Sequence, residues 1–336
     1  MRRREFLGAL AAAPASLLAL DDAGARPAGG RALAFVTADL ESRVVAVDMA
    51  TGEIVARIAT PPGPRSIETV MPRTAVVACT EGGSVVLVDS SNRRVRRVLD
   101  DFSKPRYTAA AGFRDHVPAG PAATIAYVTD SGRGELVVVD VGAGRIVHRV
   151  EVGEGARHLA IDPSGTRIWV ALGTKAPAIA VLDASDPRRP RVRRRIEPVD
   201  LAHDIGFSHD GATVWVTSGS ERQIALHDPR TGRPVRTLAA GSAPQHVAAL
   251  PGAMYVTSGD DGTLAVHAPD SGRSLRRRPV QVPVGSFNVA AAFDHRRVVS
   301  PSLSGGTLVI ANRSGRVMQQ VQIGRAAHDA CVQVVP

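Results

Sequence analysis

The stretch IAYVTDSGRGELVVVDVGAGRIVHRV, residues 125–150, decides the fold. It contains a β-rich run (IAYVTD), a second run ending in an acid (LVVVD, 136–140), a turn at Gly144 and an apolar-polar alternation (IVHRV, 146–150). Short runs of β-branched and aromatic residues punctuated by Gly read as strands joined by tight turns. The same order recurs along the chain. Acid-ended runs stand at VVAVD (44–48), VVLVD (85–89), AIAVLD (178–183) and IALHD (224–228), with degenerate copies at LAVHA (264–268) and LVIAN (308–312). Each follows a β-rich run: LAFVT, AVVACT, RIWVAL, TVWVTSG, AMYVTSG or RVVSPS. Most precede a turn with Gly52, Gly232, Gly272 or Gly315. Most copies are roughly 40 to 45 residues apart, the period of propeller blades rather than of helical repeats.

A further strand belongs to every unit: SIETVMP, YTAAAGF, HLAIDPSG, HDIGFSHDG, HVAALPG, NVAAAFDH and HDACVQVVP. No segment sustains a 3.6-residue period, so the chain is all-β. The arrangement predicts a seven-bladed β-propeller of four-stranded antiparallel blades. The chain enters the repeat at the second strand of a blade (33–37) and ends on a spare first strand (328–335). Those segments are expected to pair and close the ring.

Composition agrees. The 336 residues are 44% hydrophobic and 4% aromatic, with 32 Gly and 23 Pro. Of 41 basic residues only Lys104 and Lys175 are lysine, a skew that reads as coding bias rather than as a phosphate-binding surface, which uses both types. No apolar run after the N-terminus is long enough for a membrane-spanning helix. Residues 1–25 read as a signal peptide: Arg3, Arg4, Phe6 and Leu7 fit the twin-arginine pattern, an apolar stretch follows, and Ala23 and Ala25 offer a cleavage site. Export to the periplasm, cell surface or medium is the expectation, with 26–32 as a short linker and 33–336 as one propeller domain.

AYVTD, MYVTS and FVTAD, each followed by a V-x-V-x-D strand and a T-G or S-G turn, resemble the YVTN-type repeat of exported bacterial propellers. The resemblance covers the mature chain and implies a binding scaffold. Related propellers imply two other readings. One is an oxidoreductase or cofactor-handling protein holding copper or a haem-d1-like ring, and the other is a lactonase built around a divalent ion.

In a propeller the first strand of each blade is innermost, and its opening residue lies at one rim of the central channel. That column reads Ser66, Tyr107, His158, His203, His246, Asn288 and His328, and it holds four of the ten histidines. Neutral imidazoles converging on one axis can ligate copper, zinc or iron. His158, His203, His246 and His328 are the candidate metal ligands, with Asn288 and Tyr107 as further cofactor or ligand contacts. Asp204, Asp329, Asp39, Glu81, Asp130 and Asp260 fall at the same rim, where carboxylates can orient ring N–H groups. The other reading of the column is a wet polar rim that binds only water. A lactonase needs several carboxylates beside an Asn, and the column supplies only Asn288.

Other features read as structural. His209-Asp210 belongs to a turn at the opposite face, Asp228 after His227 caps a turn, and Asp115-His116 sits in the longest insertion. The arginine runs at 93–97, 187–195 and 275–278 fall at outermost strands, where charge prevents edge pairing. They lack the interleaved aromatics of a single-strand nucleic-acid platform, so nucleic acid is not the expected partner. A small ligand or protein at the rim is, with the propeller as a monomer. Cys79 and Cys331 read as buried thiols. CxxC and CxxCH are absent, which excludes covalent c-type haem and the common thiolate zinc patterns. No catalytic-serine, H-E-x-x-H or phosphate-loop motif occurs.

Overall fold

The computed structural model describes residues 30–335 except 72, 111–112, 115–116, 119–122 and 293–294. The signal-peptide reading of 1–25, most of the linker and Asp115-His116 lie outside the described residues.

The chain forms seven four-stranded antiparallel blades. Blade 1 is built from Arg31–Ala38, Arg43–Asp48 and Ile54–Ala59, and its innermost strand is Ala330–Val335 from the other end of the chain. The closing register runs from Arg31 opposite Val335 to Val36 opposite Ala330. The propeller strand thus begins at Arg31, two residues before the expected boundary. Blades 2 to 7 span 64–99, 105–151, 156–196, 205–239, 247–281 and 290–322. The insertion in blade 3 carries a small hairpin of Phe113–Arg114 with Val117–Pro118.

Burial explains the sequence pattern. Second and third strands are covered on both faces by neighbouring blades, so AVVAC and LVVVD read as continuous apolar runs. Fourth strands alternate or lie exposed, as in Arg94–Leu99 and Arg191–Ile196, where the arginine runs fall. One apolar cluster fills each gap between adjacent blades, which gives seven wedges around the ring instead of one core. Cys79 and Cys331 are free and share the wedge between blades 1 and 2.

Polar latches fix three of the blades to the next. The Tyr127 hydroxyl donates to the Pro187 carbonyl at 2.9 Å, Trp215 Nε1 to that of Pro269 at 3.0 Å, and the Tyr255 hydroxyl to that of Arg313 at 2.5 Å. Each acceptor lies in the turn before the fourth strand of the following blade. At Tyr127, Trp215 and Tyr255 the aromatic position of the repeat therefore buries a ring and satisfies its polar tip in one stroke, whereas Trp169 in blade 4 buries its ring with Nε1 unpartnered. Close to the axis, seven inner strands crowd together, which accounts for their many alanines. At Gly206 a Cβ would meet Val247 Cγ1 of the next blade at 2.8 Å, so only glycine fits there.

Candidate functional site at the channel mouth

The threonine of the Y-V-T motif positions the mouth. Thr129 Oγ1 donates to the Arg157 carbonyl of the next blade at 2.7 Å, and Thr217 Oγ1 donates to that of Gln245 at 2.5 Å. Thr257 Oγ1 donates likewise to Phe287, and Thr37 Oγ1 to Arg65 at 3.5 Å. Each acceptor immediately precedes a rim residue, so the hydroxyl holds the backbone from which that side chain departs. The repeated T was visible in the sequence, but its partner in the following blade was not.

Hydrogen bonding splits the expected column into two layers. The backbone N–H groups of Tyr107, Asp204, His246 and Asp329 donate to Thr129, Thr217, Thr257 and Thr37 Oγ1, which makes these four residues equivalent. His203, Gln245 and His328 stand one residue earlier, donating instead to the backbone carbonyls of Thr217, Thr257 and Thr37. His203 and His328 therefore sit one step nearer the mouth than His246.

The geometry still brings three imidazoles together. Ring centroids are 4.7 Å apart for His158–His203, 4.8 Å for His158–His246 and 5.4 Å for His203–His246. One ring nitrogen from each lies within 4.8 Å of the other two. The Tyr107 ring packs on His158 at 3.9 Å. His328 belongs to a separate pair, with Nδ1 3.2 Å from Asp39 Oδ2, and its carbonyl accepts from the Asn288 side-chain amide at 2.6 Å. Asn288 thus ties blade 7 to the closing strand.

Outer partners set the tautomers. His246 Nδ1 lies 3.2 Å from Asp204 Oδ2, and His203 Nδ1 lies 3.3 Å from the Thr174 carbonyl. Both partners only accept, so Nδ1 carries the hydrogen and Nε2 keeps its lone pair free. His158 is 1% exposed, and neither of its ring nitrogens has a hydrogen-bond partner. Burial and the neighbouring His203 and His246 hold its pKa well below the ordinary histidine value. Burial, then His246, pushes His203 down to about 4. Burial also brings His328 to about 4, against the opposing pull of its hydrogen bond to Asp39. His158, His203 and His328 are therefore neutral at pH 7, the state in which imidazole binds a metal.

Below the imidazoles the channel opens into a cavity of about 300 Å³, lined by Ser66, Glu68, Tyr107, Asp204, His246, Asn288 and Asp329 among others. Glu68, absent from the expected column, lies inside it, and burial pushes its pKa up to about 7, assisted by Asp329. Carboxylates and an Asn therefore line one space. Even so, His158, His203 and His246 form the single group at metal-ligand spacing among the described residues.

The remaining pairs lie elsewhere. His209 is in the turn between the first and second strands of blade 5 and packs edge-on against His295 at 5.0 Å. His227 Nδ1 bonds the Gly232 carbonyl at 3.0 Å, and Asp228 accepts from the N–H groups of Arg230 and Thr231 in the turn that follows. Glu81 and Asp130 sit in or beside strand turns, with Asp130 accepting from Ser103 and Lys104 N–H. Asp260 pairs with the Gln245 amide at 3.3 Å.

No family model and no curated protein matches the chain in sequence. Solved structures match in fold. A protein of unknown function from Desulfotomaculum acetoxidans superposes with a TM-score of 0.76 at 13% identity, covering 90% of this chain and 98% of its own. Hydrazine synthase from Kuenenia stuttgartiensis superposes with a TM-score of 0.65 at 18% identity, covering 80% of this chain and 89% of the other. At these identities the likeness is one of fold, and function has to be argued from the site.

Proposed function

We propose that this propeller is an exported, YVTN-type binding scaffold whose channel mouth holds one first-row transition metal ion, copper or zinc, on His158, His203 and His246. The observation that carries the reading is the buried His158: both ring nitrogens lack partners beside two imidazoles whose Nδ1 positions are already anchored. An unsatisfied buried polar group costs roughly 1–3 kcal/mol, and a metal ligand bond removes that cost.

The residues fit such an ion. Bonds of about 2.0–2.1 Å to nitrogen place tetrahedral ligand atoms roughly 3.4 Å apart, so the rings need to close by an ångström or so from their 4.8 Å limit. Three protein nitrogens leave a fourth position open, the pattern of a site that accepts an exogenous ligand. When bound, the metal supplies Lewis acidity or, as copper, one-electron chemistry. His203 and His246 present fixed tautomers, Asp204 orients the His246 ring, and Tyr107 walls one side of the cluster.

A planar haem-like ring is the second reading. Such a ring would lie over the channel on one axial His, whereas three imidazoles with centroids 4.7 to 5.4 Å apart converge on a single ion. The observation thus favours the ion. The test is visible absorption and electron paramagnetic resonance of the protein matured through its own export route and then loaded with copper(II). A nitrogen-ligated copper signal that disappears in His203→Ala supports the reading. A signal unchanged by His203→Ala, or a porphyrin-like absorption band, overturns it.

A further inference from the structure

A second set of side chains surrounds the same mouth, and it is cationic. Arg65, Arg106 and Arg157 each stand one residue before Ser66, Tyr107 and His158, in three consecutive blades. In all three blades the inner strand is irregular at that point. The register slips between Pro64 and Ser66, opposite Val128 to Asp130, and between Ala156 and Leu159. Bulges of this kind redirect a side chain away from the ladder and cluster next to functional sites. Here three bulges fall at three arginines of consecutive inner strands.

None of these guanidiniums makes a hydrogen bond or ion pair among the described residues, and the Nε of each is shut off from solvent. The nearby acids are engaged elsewhere. Asp39 meets His328, Asp204 accepts from Val247 N–H at 3.0 Å, and Asp329 accepts from Ile67 N–H at 3.1 Å. The three cations also sense one another: burial, then Arg65 and Arg157, pushes Arg106 down to about 10. The charges of all three also bear on the buried Tyr107 phenol. Asp39 senses Arg65 at longer range, but like charges that no acid meets at bonding distance oppose folding, and a fold retains them where a ligand supplies the opposite charge.

We propose that Arg65, Arg106 and Arg157 form a binding site for a small multivalent anion, an oxyanion or polycarboxylate, at the channel mouth beside the imidazole cluster. Planar guanidinium forks match such oxygens in pairs, and three of them on an arc favour a ligand with two or more anionic oxygens. Next to His158, the anion would face the open side of the cluster. The inference stands on the arginines alone and needs no metal.

The test is calorimetric titration of the full chain, stripped of metal by chelation, at low ionic strength. The probes are inorganic phosphate and citrate, with acetate as the monovalent control. At least one multivalent probe is expected to bind about tenfold or more tighter than acetate, and Arg106→Gln to weaken it by about tenfold or more. Phosphate binding alone identifies an oxyanion site, citrate binding alone a polycarboxylate site. Arg193→Gln, on the outer strand, leaves the titration unchanged. In anion-free buffer Arg106→Gln melts at or above the wild type, because one of three opposing charges is gone; a structural arginine would lower the melting point. No heat from either multivalent probe, or equal binding by Arg106→Gln, overturns the proposal. Metal-free protein keeps the outcome separate from the fate of the metal reading.

Discussion

The carboxylate of Asp204 joins two blades at the channel mouth: one oxygen accepts from the Val247 backbone at 3.0 Å and lies 3.2 Å from His246 Nδ1. It orients the imidazole and fixes the strand that carries it. Asp204→Asn keeps the shape but can turn its amide donor toward Nδ1, which favours the other tautomer. Metal affinity is expected to fall roughly 10- to 100-fold, the cost typical of losing a carboxylate behind a histidine ligand. Competition titration against a coloured chelator measures it.

Two titrations of opposite sign meet in the acid range. His203 and His328 sit at about 4 in the fold, against 6.5 in a free chain. Between those values the unfolded state binds more protons, so their contribution to stability declines as pH falls from 6.5 toward 4. Glu68 sits at about 7, against 4.5. There the folded state binds more protons, so its contribution declines as pH rises from 4.5 through 7. Glu68→Gln is expected to raise the urea midpoint at pH 8 and to leave it nearly unchanged at pH 4. His328→Gln is expected to flatten the loss of stability between pH 6.5 and 4. Urea unfolding of each variant across that range separates the two effects.

Thr217 Oγ1 links blade 5 to the Gln245 carbonyl and also receives the Asp204 N–H. Thr217→Val keeps the shape and leaves both backbone groups without a partner. It is expected to destabilise the fold by about 1–3 kcal/mol and to loosen His246, the residue after Gln245. Thermal unfolding reads the first effect, and metal affinity the second.

Ring closure depends on a single strand from the far end of the chain. Removing residues 328–336 takes away the partner of Arg31–Val36 and uncovers the wedges on both sides of blade 1. The truncated chain is expected to lose cooperative unfolding and to bind a hydrophobic dye. Scanning calorimetry beside dye fluorescence tests this.

The ring was legible because one register repeats: Asp48, Asp89, Asp140 and Asp183 end third strands, Asp228 directly follows one, and all five accept from the turn that follows. The strand order, and the closure of blade 1 by both ends of the chain, follow from that phase. The mouth was legible only to within a residue. Text alignment gives every blade the same length at its inner strand, whereas bulges at Arg65, Arg106–Tyr107 and Arg157–His158 insert residues the alphabet does not mark. His203 and His328 fell into the column of His246 for a different reason: the histidines were aligned with one another, whereas the residues whose N–H meets the threonine are Asp204, His246 and Asp329. The same bulges concealed the three mouth arginines, which looked like part of a general excess of arginine. Glu68 was hidden for another reason, since it follows the rim and points into a cavity that exists only once seven strands have converged.

The most direct measurement is equilibrium dialysis of the full chain against limiting copper(II) and zinc(II), with bound metal counted per chain. About one ion per chain is predicted for the wild type, lost in His158→Ala and in His246→Ala and kept in His209→Ala on the opposite face. Uptake that survives His158→Ala and His246→Ala, or wild-type protein that takes up no metal, contradicts the account.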